Sequence, residues 1–263
     1  MSHSFPSPVP TDVTIRVADL SFAYTGGPTA LDGVCFAVAA GERVGLVGPN
    51  GAGKTTLFLC LSGVLSVPRG RVLLAGLDPA LPEQRRQLPA RVGIVFQNSD
   101  DQIFNTTVFD DVAFGPLNLG LGAGEVRARV AEALERVGLK GLEQRVPFHL
   151  SGGEKRRVAL AGVLAMRPDI LLLDEPSMHL DPRGRRELIR LINGLAVTQV
   201  VASHDLELIL ETCARILIID HGRLVADGPA HTLLADEALM EAHGLEVPHS
   251  LRSTERGTRN AEP

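Results

Sequence analysis

Nine residues, Gly48-Pro49-Asn50-Gly51-Ala52-Gly53-Lys54-Thr55-Thr56, constrain this chain more than any other stretch. They follow an apolar run, Arg43-Val44-Gly45-Leu46-Val47, that reads as a buried strand, and precede Leu57-Phe58-Leu59-Cys60-Leu61, which reads as the opening of a helix. At the spacing G-x-x-x-x-G-K-T, glycines without Cβ let the backbone approach a phosphate chain, so that successive N–H groups and the helix N-terminus point at the anion. Lys54 then reaches the β- and γ-phosphates and Thr55 offers its hydroxyl to Mg²⁺. A plain glycine-rich turn between a strand and a helix needs neither the lysine nor the threonine.

Further along the chain, apolar runs that read as strands end in polar side chains. Arg91 to Phe96 runs into Gln97-Asn98-Ser99-Asp100-Asp101-Gln102, Ile170-Leu171-Leu172-Leu173 into Asp174-Glu175, and Gln199 to Ser203 into His204-Asp205. Strand ends of this kind are where α/β folds place ligand-facing residues. Asp174-Glu175 fits a carboxylate that orders Mg²⁺ followed by one that polarises water, although an acidic pair also caps helices and lines solvated turns. His204 suits a hydrogen bond to a γ-phosphate or to a neighbouring carboxylate, and Gln97 suits orienting water or completing a metal shell.

Ser151-Gly152-Gly153-Glu154 opens a predicted helix that runs to Met166. The stretch is a second anion cradle by chemistry and a capping box by spacing. Two cradles for one triphosphate leave two arrangements: the second folds onto the first within the chain, or it serves a nucleotide held by another chain. Tyr24, the single tyrosine, precedes the turn Thr25-Gly26-Gly27-Pro28 and either stacks on a purine or closes a hairpin.

The remaining patterning gives strands over 13–22, 31–38, 70–76 and 215–226, the last broken by a hairpin at His221-Gly222. Helices are predicted over 55–65, 107–118, 125–137 and 182–195. Along 125–137, Val126, Val130, Ala133, Leu134 and Val137 face inward, while Glu125, Arg129, Glu132 and Arg136 alternate on a solvated face. The net charge of −5 argues against a nucleic-acid partner, and the three widely spaced cysteines against a disulfide framework or zinc site. The longest apolar stretch, near 158–166, is about half the ~20 residues of a membrane span, and 1–10 lacks the pattern of a signal peptide, so any membrane association is expected to come through a partner.

Taken in order, these motifs resemble the nucleotide-binding subunit of an ATP-binding cassette (ABC) transporter, from about Val13 to Leu234. Gly48 to Thr55 matches that family's Walker A loop, Gln97 its Q-loop, Leu150 to Glu154 its signature, and Ile170 to Asp174 its Walker B strand. Glu175 matches the catalytic glutamate, Leu180-Asp181 the D-loop and His204 the H-loop, and Tyr24 falls where the family stacks adenine. The resemblance implies an α/β fold: a P-loop NTPase core of RecA type, an N-terminal antiparallel β-subdomain and an inserted helical subdomain at about 98–167. It divides the chain into a disordered lead-in at 1–12, the domain at 13–243 and a flexible tail at 244–263. It implies ATP and Mg²⁺ as ligands, with Thr55, Gln97 and Asp174 at the metal and Gly48 through Thr56 around the phosphates. Two subunits would meet head to tail, so that Ser151, Gly152, Gly153 and Asp181 of one complete the site of the other, in a homodimer or with a second ABC ATPase.

A narrower match spans Phe96 to Phe104 and Asp110 to Gly120, with Ala159 to Ala165 agreeing. It resembles the ATPase of energy-coupling factor (ECF) importers of cobalt, nickel and vitamins. That implies a peripheral protein on the cytoplasmic face of the cell membrane, with a transmembrane coupling protein and a substrate-binding membrane protein as partners. Ser177-Met178-His179 and Ser99 depart from the pattern. Rival readings are the ATPase of a conventional importer, a soluble ABC ATPase outside transport, and a P-loop kinase, which would not need Leu150 to Glu154.

Overall fold

The computed structural model describes residues 13–67 and 69–252. The expected lead-in at 1–12 lies outside the described residues. Nine strands are present among them: β1 (Val13–Ala23), β2 (Thr29–Ala39), β3 (Arg43–Val47), β4 (Arg69–Leu74), β5 (Val92–Val95), β6 (Ile170–Asp174), β7 (Thr198–Ala202), β8 (Arg215–Asp220) and β9 (Arg223–Pro229). They form an antiparallel three-stranded sheet in the order β2-β1-β4 and a six-stranded sheet in the order β5-β6-β7-β3-β8-β9. In the larger sheet every neighbouring pair is parallel except β8 with β9.

The helices, in chain order, are α1 (Lys54–Leu61), α2 (Pro82–Arg85), α3 (Val108–Asn118), α4 (Ala123–Arg136), α5 (Gly152–Ala165), α6 (Pro182–Gly194), α7 (Leu206–Thr212), α8 (Ala230–Ala235) and α9 (Glu237–Ala242). α2 falls in 78–89, a polar, proline-containing stretch for which the sequence pattern predicts no element. The inward face predicted for 125–137 is buried as expected, at Val126, Val130, Ala133, Leu134 and Val137.

Strands β3, β6, β7 and β8 are buried on both faces, which is why they read as continuous rather than alternating runs, whereas edge strand β9 alternates exposed and half-buried residues. Side chains of successive residues point to opposite faces. Leu171 and Leu173 therefore join one core with Val201, α3, α4, α5 and α6, while Ile170 and Leu172 join another with Val200, α1 and the antiparallel sheet. The helices of 108–165 pack on one another and on the first face; the antiparallel sheet covers the second.

Strand register aligns the parallel strands at their C-terminal ends. Leu46 of β3 and Asp174 of β6 both pair with Ala202 of β7, and Val95 of β5 pairs with Leu173. The ends of these four strands thus fall on one edge of the sheet, together with the residues that come directly after them. The segment expected as a flexible tail from 244 differs over its first part. Leu245, Val247 and Leu251 pack against the core, and Ser250 donates from its backbone N–H and hydroxyl to Glu207 at 3.0 and 2.7 Å. These spaced apolar residues are too few to give a sequence period. Residues 253–263 lie outside the described part.

Candidate active site

The phosphate-loop glycines have distinct physical duties. A Cβ on Gly48 would lie 2.1 Å from the Ile219 carbonyl oxygen, so no side chain fits there. Gly53 has φ 108 and caps α1 without a side chain, and a Cβ on it would meet the Ala30 carbonyl at 2.7 Å. Gly51, at φ 79, has nothing within 4 Å of its Cβ position and faces open space. The result is a tight turn that offers backbone rather than side chains at the N-terminus of α1, the arrangement a phosphate group needs.

Lys54 is buried, and its Nζ donates to the Gly48 and Pro49 carbonyls at 2.6 and 3.1 Å. Burial pulls its pKa below the ordinary lysine value, while the Glu175 and Asp174 carboxylates oppose that shift. The next residue, Thr55, donates its hydroxyl to Asp174 Oδ2 at 2.9 Å across 119 positions of sequence. Asp174 is buried, and burial raises its pKa, with the Thr55 hydrogen bond pulling the other way. A hydroxyl and a carboxylate oxygen brought together beside the phosphate loop form a hard-oxygen donor set that fits Mg²⁺. Thr56 Oγ1 and the Tyr24 hydroxyl lie 3.2 Å apart, and the Tyr24 ring, 46% exposed, stands edge-on to Phe22 with centroids 5.0 Å apart.

Glu175 is held on every side. Its backbone is left-handed, at φ 47, and its N–H donates to the Ala202 carbonyl at 2.8 Å. Its carboxylate accepts from the Ser203 hydroxyl at 3.2 Å and the His204 N–H at 3.1 Å, and it lies 2.7 Å from His204 Nδ1. Facing a carboxylate, Nδ1 is the nitrogen that carries the proton. Of the two partners open to His204 in the sequence, the structure supplies the neighbouring carboxylate.

Gln97 is placed differently from the expected metal shell. Its side-chain amide donates to Met178 Sδ at 2.9 Å, and no hydrogen bond among the described residues joins it to Thr55 or Asp174. Two residues that sequence reading missed complete the region. Ser203, fully buried, bonds the Glu175 carboxylate, and Arg156 of α5 reaches the backbone of Phe96, Gln97 and Glu175. Two adjacent arginines, Arg156 and Arg157, precede the apolar run Val158-Ala159-Leu160, and the sequence carries no signal that singles out Arg156.

The second cradle is a capping box: Ser151 Oγ accepts from the Glu154 N–H at 3.3 Å, while Glu154 Oε2 accepts from the Ser151 N–H at 2.8 Å. Ser151, Gly152 and Gly153 line a groove of about 1130 Å³ together with Leu180 and Asp181, and Asp181 caps α6 by accepting from the Gly184 N–H at 2.7 Å. No residue of the phosphate loop lines that groove. The groove at Ser151–Gly153 and the phosphate loop are thus separate places on the chain.

Comparison with known proteins bears on the family and the fold. The family model described as ABC transporter matches residues 31–178. An energy-coupling factor transporter ATP-binding protein of Methanothermobacter thermautotrophicus is 46% identical over 241 residues, covering 90% of this chain and 77% of that protein. The structure of CbiO1 from Clostridium perfringens, described as part of an ABC transporter complex, superposes with a TM-score of 0.79 at 34% identity, over 93% of this chain and 99% of that one. A dimeric ATP-binding cassette in a post-hydrolysis state with ADP and Pi superposes at 0.75 and 26% identity, over 82% and 98%.

Proposed function

The chain belongs to the ABC transporter family as an ATP-hydrolysing subunit, and from that premise we propose that it is the ATPase of an energy-coupling factor importer that moves a transition-metal ion or a vitamin. The observation that carries the catalytic reading is the setting of Glu175. Its carboxylate, oriented by Ser203 and His204, sits on the same sheet edge as the Thr55–Asp174 pair and the phosphate loop.

In this reading the loop from Gly48 to Thr56 and Lys54 bind the triphosphate of ATP, and Tyr24 stacks on the adenine. Thr55 and Asp174 hold Mg²⁺, which supplies charge neutralisation at the phosphates. Glu175 polarises the attacking water and takes its proton, and His204 keeps that carboxylate aimed. Gln97, whose side chain rests on Met178, is proposed to serve the same site. Ser151, Gly152, Gly153 and Asp181 act on the nucleotide of a second copy of the chain, or of a second ABC ATPase.

The segment 97–120 is proposed to meet the membrane partners, a transmembrane coupling protein and a substrate-binding membrane protein, at the cytoplasmic face. Phe104 and Phe114 support this, since both are exposed, with ring centroids 5.0 Å apart, and Leu117 lies exposed on the same helix as Phe114. Among the described residues no helix is long and apolar enough to cross a membrane. Exchanging Glu175 for Gln is expected to slow turnover ~10²–10⁴-fold while ATP binding persists; turnover at the parent rate would refute the assignment. Co-purification of the membrane partners, followed by metal and vitamin analysis, tests the ECF reading and names the cargo.

A further inference from the structure

Arg156 is 4% exposed, and all three of its hydrogen-bond acceptors are backbone carbonyls: Nη1 donates to Phe96 at 2.5 Å, and Nη2 to Gln97 at 2.7 Å and Glu175 at 2.9 Å. A guanidinium buried without a carboxylate in direct contact is an expensive arrangement, which a fold gains little from keeping for stability alone. The Asp174 and Glu175 carboxylates act on it through space and offset part of its desolvation.

Glu175 is the acceptor with the most at stake. A non-glycine residue in the left-handed region costs about 1–2 kcal/mol, and such a conformation persists where its surroundings over-determine it. The Glu175 N–H is bound to Ala202, and its carbonyl accepts from Arg156 and, at 3.2 Å, from the Met178 N–H. Met178 in turn receives the Gln97 side chain, and Gln97 gives its own carbonyl to Arg156. Arg156 thereby closes a circuit through the end of β5, the turn after β6 and helix α5, the helix whose N-cap is Ser151.

We propose that Arg156 is a positioning residue for hydrolysis: by fixing the Glu175 peptide to the Phe96–Gln97 backbone and to α5, it sets the aim of the Glu175 carboxylate. The inference rests on the proposed action of Glu175 on water. It follows that a displacement of α5 or of segment 97–102 reaches Glu175 through Arg156, without passing through the nucleotide.

The test is a double-mutant cycle in the full-length protein, with R156M and R156K in the parent and E175Q backgrounds, read by steady-state and single-turnover ATPase kinetics with melting temperature as a control. R156M is expected to lower kcat by about 10–100-fold, as a misplaced catalytic group does, with KM for ATP unchanged. R156K, which keeps the charge with fewer aligned donors, is expected to fall between. In the E175Q background neither exchange should slow the residual rate further. Equal losses in both backgrounds, a change in KM alone, or an unchanged kcat would overturn the role of Arg156 while leaving Glu175 in place. E175Q at the parent rate would overturn the Glu175 reading and this inference with it. Should R156M fail to fold, the R156K arm of the cycle decides on the same criteria.

Discussion

Exchanging Gly48 for alanine puts the phosphate-loop geometry to a quantitative test. The added Cβ would sit 2.1 Å from the Ile219 carbonyl oxygen, and the two must part by roughly 1 Å to reach the 3.0 Å below which such contacts essentially never occur. Both groups are backbone, so no rotamer change relieves the clash; the loop or the end of β8 must move. Overpacking of this kind costs about 1–3 kcal/mol, which for a domain of this size lowers the melting temperature by roughly 2–12 °C. The larger effect is functional, because a catalytic group displaced by ~1 Å loses about 10²-fold in rate. The assay pairs thermal unfolding with ATP titration and kcat/KM. Gly76 provides the control: it has φ 82 and nothing within 4 Å of its Cβ position, so G76A incurs only the left-handed cost. That cost is about 1–2 kcal/mol, and ATP affinity should be unchanged. If G48A binds and hydrolyses ATP as the parent does, the loop does not hold the phosphates.

Tyr24 gives a second test: Y24A should weaken ATP binding by ~1–3 kcal/mol in a titration while Y24F, which keeps the ring and loses only the contact to Thr56, stays near the parent. Equal losses for both would assign the effect to the hydroxyl. Asp174 gives a third, through pH. Burial raises its pKa in the folded chain above the unfolded value, so its contribution to stability is present below the unfolded pKa and is lost as pH rises through the folded one. D174N, which carries no charge to desolvate, should therefore melt higher than the parent at pH 7, with the gain vanishing below about pH 3.9, while hydrolysis is lost. A lower melting point for D174N at pH 7 would show that the carboxylate's favourable partners, the Thr55 hydroxyl and the Lys54 and Arg156 charges, outweigh desolvation.

Much of the candidate site is legible in the sequence because parallel strands of similar length end on one edge. Once 43–47, 92–95, 170–174 and 198–202 are recognised as strands, the residues directly after them converge without further information. The phosphate-loop glycines are readable for a similar reason, since their conformational demands are local. Contacts made across the chain are not. Arg156 meets Phe96 across 60 positions, and nothing in the spacing of Arg156 and Arg157 says which is buried against carbonyls and which pairs with Glu187. The lodging of Gln97 on Met178 depends on the turn after β6, where Ser177-Met178-His179 departs from the family's usual residues, with His179 at φ 62. The packing of 245–251 against the core, with Ser250 on Glu207, likewise pairs residues 43 positions apart.

The central claim, that two chains build each hydrolytic site, is tested most directly by the mass of E175Q in solution with and without Mg-ATP, measured by analytical ultracentrifugation. Binding without hydrolysis should double the mass from the 28.0 kDa of a single chain, and placing arginine at Ser151 should abolish the doubling while ATP still binds. An E175Q chain that saturates with ATP and stays at 28.0 kDa, with parent activity per chain independent of protein concentration, would contradict the account.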